Sequence, residues 1–204
     1  RNSGIGVFAG FNAGSDNLQG FRLSIYGTLT PISGSRRALS ASGTAPAQVE
    51  FNRDGDLLAV TEKATNRVLT FAVDGDGRLG PTQIQDSPSP TPFGFAFGRR
   101  DQLLVSEAVG GAAGASTLSS YVLGGNGAAS LVSSAVPSGQ SAACWVVATR
   151  NGRYAYVSNT ASGNLSTYRL GADGSASLAT AISADTGNGS GPTDMALDAD
   201  SRFL

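Results

Sequence analysis

Asn12-Ala-Gly-Ser-Asp-Asn-Leu-Gln-Gly-Phe-Arg-Leu23 returns as Glu62-Lys-Ala-Thr-Asn-Arg-Val-Leu-Thr-Phe-Ala-Val73, and again as Asn159-Thr-Ala-Ser-Gly-Asn-Leu-Ser-Thr-Tyr-Arg-Leu170. In each copy a polar residue is followed five places later by Asn or Arg, and nine places later by an aromatic. The aromatics Phe21, Phe71, Tyr121 and Tyr168 lie 50, 50 and 47 residues apart. A fixed period of this length marks a repeat architecture, in which each unit buries its neighbour's face.

Working outward from the copy at Glu62, the first full unit opens at Pro46. Ala47–Asn52 reads as a strand, Arg53-Asp-Gly-Asp56 as a turn, and Leu57–Thr61 as a second strand apolar enough to be buried on both faces. Val68–Val73 follows as a third strand. Asp74-Gly-Asp-Gly77 turns the chain, because Asp-Gly is a strong hairpin signal, and a weaker fourth strand lies near Thr82–Asp86. The second unit runs over 92–140, with strands at Phe93–Phe97, Gln102–Ser106 and Thr117–Leu123 and a Gly/Ala-rich insertion between Ala108 and Ser116. The third runs over 141–191, with strands at Ala143–Ala148, Tyr154–Ser158 and Leu165–Leu170. A fourth opens at Pro192–Leu197, and residues 1–45 hold the second, third and fourth strands of an incomplete unit. No amphipathic helix is visible. Four short antiparallel strands per unit predict an all-β fold, a β-propeller with roughly four blade equivalents. Two closures are open: a fragment of a larger ring, or a four-bladed ring in which the first three strands and the last complete one blade.

Composition narrows the chemistry. Twenty-eight glycines among 204 residues, with only 14% charged residues, suit short strands joined by tight turns. A net charge of −1 with dispersed arginines offers no basic stripe for phosphate backbones, so no nucleic acid partner is expected. There is no histidine, which removes the usual general base, the imidazole metal ligand and every Ser-His or Cys-His pairing. The lone Cys144 has no internal disulfide partner. The longest apolar run, Ala142–Ala148, has seven residues against roughly twenty for a membrane helix, so no membrane insertion is expected. The start at Arg1, without methionine, reads as a missing N-terminus.

Several blade phrases resemble the lactonase family of seven-bladed propellers. They are Asp54-Gly-Asp-Leu-Leu-Ala-Val-Thr-Glu62, Pro92-Phe-Gly-Phe-Ala-Phe97 with Leu104-Val-Ser-Glu-Ala108, and Ala143-Cys-Trp-Val-Val147. Two more are the YVTN-like Gly152-Arg-Tyr-Ala-Tyr-Val-Ser-Asn159 and Gly191-Pro-Thr-Asp-Met-Ala-Leu197. That family includes the propeller-type bacterial 6-phosphogluconolactonase and the fungal carboxymuconate-lactonizing enzyme. The resemblance implies a hydrolase or lactonizing activity on a small anionic lactone in the central channel, with no cofactor. A seven-bladed member needs ~350 residues at this period, so the resemblance implies a fragment. Many bacterial relatives are exported, which favours a secreted or periplasmic protein over a cytoplasmic one. The family often opens a first strand after Pro-Arg-His. Here the matching positions are Gln48, Gly94, Cys144 and Asp194, so the histidine is absent.

Repeat symmetry places Asn12, Glu62, Glu107 and Asn159 at equivalent second-strand ends. As a polar ring, Glu62 or Glu107 would serve as acid/base while Asn12 and Asn159 orient a carboxylate. As loop residues, they would bond the backbone of the following turn. Gln48 and Asp194 begin first strands and either line the channel mouth and bind substrate or cap the strand. Cys144 reads as a small hydrophobe and Trp145 as inter-blade packing. Asp74-Gly-Asp-Gly77 lacks the further ligands of a calcium loop, with Arg78 and Gln85 at the positions that matter. Gly110–Gly114 has no following Lys-Ser/Thr, and Arg36-Arg37 and Arg99-Arg100 read as solvated turn charges. A reading from another class is a non-catalytic propeller that displays its loops to a protein or glycan partner.

Overall fold

The computed structural model describes residues 6–187 and 189–204. The first sheet holds β1 (Gly6–Asn12), β2 (Asn17–Leu23), β3 (Leu29–Pro31) and β4 (Arg37–Ala38), the last two short strands both pairing with β2. The second is β5 (Pro46–Phe51), β6 (Leu57–Glu62), β7 (Arg67–Ala72) and β8 (Gln83–Asp86). The third is β9 (Pro92–Phe97), β10 (Gln102–Glu107), β11 (Thr117–Leu123) and β12 (Ala129–Pro137). The fourth is β13 (Ala143–Ala148), β14 (Tyr154–Asn159), β15 (Asn164–Leu170) and β16 (Ala176–Asp185). Each of the last three is an antiparallel meander in chain order. The chain is a partial β-propeller of four blades, and no α-helix occurs among the described residues. None of the described helical turns is long and apolar enough to cross a membrane.

The second strands β6 and β10 are buried along their whole length because their two faces serve two different blade interfaces. Leu58 and Val60 of β6 join Leu18, Leu39 and Phe71 between the first and second blades. Leu57 and Ala59 point the other way and meet Phe95, Leu103, Val105 and Tyr121. Leu104 of β10 continues to Val146, Val157 and Tyr168 of the fourth blade. The core is therefore a series of apolar wedges, and each fully buried leucine in it contributes about 2 kcal/mol. The third-strand aromatics Phe71, Tyr121 and Tyr168 that define the sequence period all sit in these wedges.

The first strands carry register shifts near their starts, between Pro46 and Gln48, opposite the Val105/Glu107 step, and between Ala143 and Val146. A bulge releases backbone groups from the ladder. The hydroxyl residue one place before each second-strand end recaptures them. Thr61 Oγ1 donates to Phe93 O (2.5 Å), Ser106 Oγ to Gly94 O (3.0 Å) and Cys144 O (2.6 Å), while Ser158 Oγ accepts from Trp145 N (3.0 Å). These bonds join one blade's second strand to its own first strand and to the first strand of the next.

Strands β12 and β16 take the fourth-strand places expected of the last two units, to which the sequence assigned no residues; both are long outer strands with largely exposed side chains, so no buried apolar pattern marks them. Two regions differ from the sequence-based expectation. Residues 192–197 form no strand. They run without a ladder, 195–197 lie against the channel, and the turn after them is held by Asp198 N donating to Phe203 O (3.1 Å). The insertion after Ala108 contains a 3-10 turn, Val109–Gly111.

Candidate functional site

The four equivalent second-strand ends face the first residue of the third strand across a hairpin: Asn12 opposite Asn17, Glu62 opposite Arg67, Glu107 opposite Thr117, and Asn159 opposite Asn164. Asn12 is exposed, and its Nδ2 donates to Asn17 Oδ1 (2.9 Å). Asn159 is buried, with Nδ2 donating to Asn164 Oδ1 (3.0 Å) and Ser166 Oγ (2.8 Å), while its Oδ1 has no hydrogen-bond partner among the described residues. Asn164 in turn donates to Gln140 Oε1 (2.7 Å) on the crossover from the previous blade.

The two glutamates are fully buried and also reach a crossover. Glu62 accepts from Ser40 N (2.9 Å) and from the hydroxyls of Ser40 and Thr65. Glu107 accepts from Thr117 Oγ1 (2.6 Å) and from Ser87 Oγ (3.2 Å), which follows β8. Burial pushes the Glu107 carboxyl up to about 7, against the lowering influence of the Ser119, Thr117 and Ser87 hydroxyls. The Tyr121 hydroxyl, buried and without a hydrogen bond among the described residues, is raised by its own burial and by the nearby Glu107 charge. Glu62 and Glu107 each serve their own hairpin, and neither lines the axial channel.

That channel is walled by β5, β9, β13 and residues 195–197, around a cavity of about 350 Å³. Phe97, Trp145, Val147 and Met195 are among its lining residues, with Gln48 and Glu50 as its polar side chains. Gln48 behaves as an extra peptide group between two inner strands, its Nε2 donating to Phe95 O (2.9 Å) and its Oε1 accepting from Phe95 N (2.8 Å). Its Nε2 also donates to Glu50 Oε2 (2.7 Å). Glu50 is exposed by its surface area, yet partial desolvation beside the inner strands raises its carboxyl, against the lowering influence of Gln48. Trp145 packs edge-to-face on Phe93 of the preceding blade, with centroids 6.2 Å apart, and also faces the channel. Asp194 is exposed and accepts from Met195 N (2.7 Å) outside the channel wall. Cys144 is half-buried, as a free thiol. No cluster of metal-ligating side chains occurs among the described residues.

Sequence reasoning missed Glu50. It lies two residues after Gln48 on β5, so the two side chains share one face of that strand.

No protein-family model matches the chain, and no curated protein matches it in sequence. Solved structures do. A Lactobacillus plantarum protein has TM-score 0.69 and 17% identity over 87% of this chain and 54% of its own. The periplasmic gluconolactonase of Pseudomonas aeruginosa also has TM-score 0.69 and 17% identity, over 92% of this chain and 52% of its own. A putative 6-phosphogluconolactonase from Bacteroides fragilis has TM-score 0.63 and 17% identity, over 84% and 50%. The chain thus spans about half the length of these proteins, and at this identity the likeness is one of fold.

Proposed function

We propose that this chain belongs to a lactonase-like propeller that takes a small sugar-acid or carboxymuconate-type lactone into its axial channel, with Glu50 as the acid/base. The observation that carries this reading is that Glu50 is the ionisable side chain among the described residues that line the channel cavity. A carboxyl raised above its ordinary value and hydrogen-bonded by a neutral amide suits a proton-transfer role. Glu50 would take a proton from water as the water oxygen bonds to the lactone carbonyl carbon. The same proton would then go to the ring oxygen as the ring C–O bond breaks. Two of the structural neighbours carry gluconolactonase or phosphogluconolactonase names, which supports the substrate class. In this reading Glu62 and Glu107 hold crossovers in place, and Asn12 and Asn159 close hairpins.

Hydrolysis of a panel of sugar-acid and muconate-type lactones tests it. Glu50→Gln is expected to lower kcat by about 100-fold or more while leaving the melting temperature near that of the wild type. The rate of the wild type should rise with pH through a limb displaced above the usual carboxylate range. Equal rates in wild type and Glu50→Gln would remove Glu50 from the reaction. A second reading, a non-catalytic propeller with a protein or glycan partner, is favoured by the sealed state of Glu62 and Glu107. Absence of turnover on the whole panel selects it.

A further inference from the structure

The channel opens, at the end where first strands turn into second strands, into a depression of about 710 Å³. Arg53, Arg99 and Arg150 border it, each the second residue after a first strand ends at Phe51, Phe97 or Ala148. The blade repeat therefore delivers one guanidinium per blade to the same rim, and Arg100 adds another. Arg150 lies 3.9 Å from Asp200, whereas Arg53, Arg99 and Arg100 have no carboxylate within salt-bridge distance among the described residues. Three aspartates share the rim. Asp101 accepts from Asn52 Nδ2 (2.9 Å), and Asp198 accepts from the backbone N–H groups of Arg202 (2.6 Å) and Phe203 (3.0 Å), which leaves Asp54 without such a bond.

Two features set the exposed arginines of the third blade apart. Arg100 and Asp101 both adopt left-handed backbone, at φ 55° and 57°, whereas each neighbouring blade has one such residue in this turn, a glycine, Gly55 or Gly152, at the position of Asp101. Consecutive left-handed non-glycine residues cost stability, and such strain gathers where a side chain is needed in a fixed direction. The stem of Arg99 lies across Gly152: a Cβ there would stand 2.6 Å from Arg99 Cδ and 2.8 Å from its Cγ. Arg99 and Arg100 also border a second cleft of about 330 Å³, shared with Arg153, so they stand on a ridge between two concavities. Arg100 Nη1 donates to Ala172 O (3.4 Å) on the wall of that second cleft, and each guanidinium offers a planar fork to paired oxygens.

We propose that this mouth binds a compact, multiply charged oxyanion, a phosphate ester or a polycarboxylate, with Arg99 and Arg100 at its centre and Arg53 and Arg150 at its flanks. The site is distinct from Glu50, and it stands whether or not the channel is catalytic. Calorimetric titration of the protein with pyrophosphate, and separately with citrate, at physiological ionic strength tests it. Saturable binding of at least one anion is expected. Arg99→Gln combined with Arg100→Gln should weaken it about tenfold or more. Arg22→Gln combined with Arg36→Gln, an equal loss of charge on the first blade, should leave it unchanged. Binding of pyrophosphate alone assigns phosphate esters, and binding of citrate alone assigns polycarboxylates. Arg100→Gly provides a variant that does not risk unfolding: relief of the left-handed backbone should raise the melting temperature while affinity falls. No saturable binding of either anion, or an equal loss in the control pair, overturns the proposal.

Discussion

Replacing Gly94 with alanine is expected to destabilise the protein by about 3 kcal/mol and to lower its melting temperature by roughly 6–12 °C. Gly94 lies on β9 where that strand crosses closest to β13 of the next blade. A Cβ built there stands 2.3 Å from Cys144 O and 2.8 Å from Trp145 Cα, both backbone atoms that no rotamer change can move aside. The two first strands would have to separate. Ser106 Oγ, which donates to both Gly94 O and Cys144 O, could then no longer reach the two carbonyls together. Loss of that staple leaves a buried acceptor short of its partner, and the apolar wedge containing Ala96, Leu104 and Val146 opens with it. Gly75→Ala is the control, since nothing lies within 4 Å of its Cβ position and its backbone is not left-handed. Its effect should stay within about 0.5 kcal/mol. Thermal and urea melts of the three proteins decide the matter, and coincident curves for Gly94→Ala and wild type would show that the blades are not in the contact described.

The same geometry explains which parts of the molecule were readable from sequence. β6 and β10 are buried on both faces, so their residues form the uninterrupted apolar runs that mark a second strand. Phe71, Tyr121 and Tyr168 recur because each fills the same wedge between blades. β12 and β16 fill no wedge. Leu131, Val132, Leu178 and Ile182 are exposed on them, and an outer edge places no demand on periodicity that a reader could detect. The site was harder for a different reason. Repeat spacing correctly made Asn12, Glu62, Glu107 and Asn159 equivalent, but spacing does not say what stands opposite an equivalent position. That depends on Ser40 and Ser87, which lie 22 and 20 residues before the glutamates they bond and on another blade's crossover. Glu50 and the arginines of the first turns were hidden in the opposite way. Their positions are legible only once Phe51, Phe97 and Ala148 are recognised as ends of matching strands, and Arg-containing turns otherwise look like ordinary solvated loops.

Glu107 provides the largest pH-dependent effect expected of this protein. Its folded carboxyl titrates near 7, while the ordinary value in an unfolded chain is 4.5. Between those values the unfolded chain has released the proton and the folded protein still holds it, so unfolding is increasingly favoured as pH rises. Stability is therefore fully present below the unfolded value, declines through this window, and levels off above pH 7. The whole decline amounts to about 3 kcal/mol, at 1.36 kcal/mol for each unit of separation. Asp16, Asp74 and Asp173 act with the opposite sign and in another window. Hydrogen bonds hold their carboxyls low, so whatever stability they contribute is lost only in acid, as pH falls through their folded values. Glu50 is raised as Glu107 is, and adds to the decline in the same direction. Glu107→Gln should therefore flatten most of the curve between pH 5 and 8 without disturbing the hairpin, because the Thr117 and Ser87 hydroxyls can accept from an amide as readily as they donate to a carboxylate. Near pH 5 the two proteins should melt together. By pH 8 the variant, which has no charge to bury, should be the more stable by about 2 kcal/mol or more. Melting curves that stay parallel across the range would mean that the Glu107 carboxylate is ionised in the folded protein at no cost, and that water or a cation reaches the pocket shared with Tyr121.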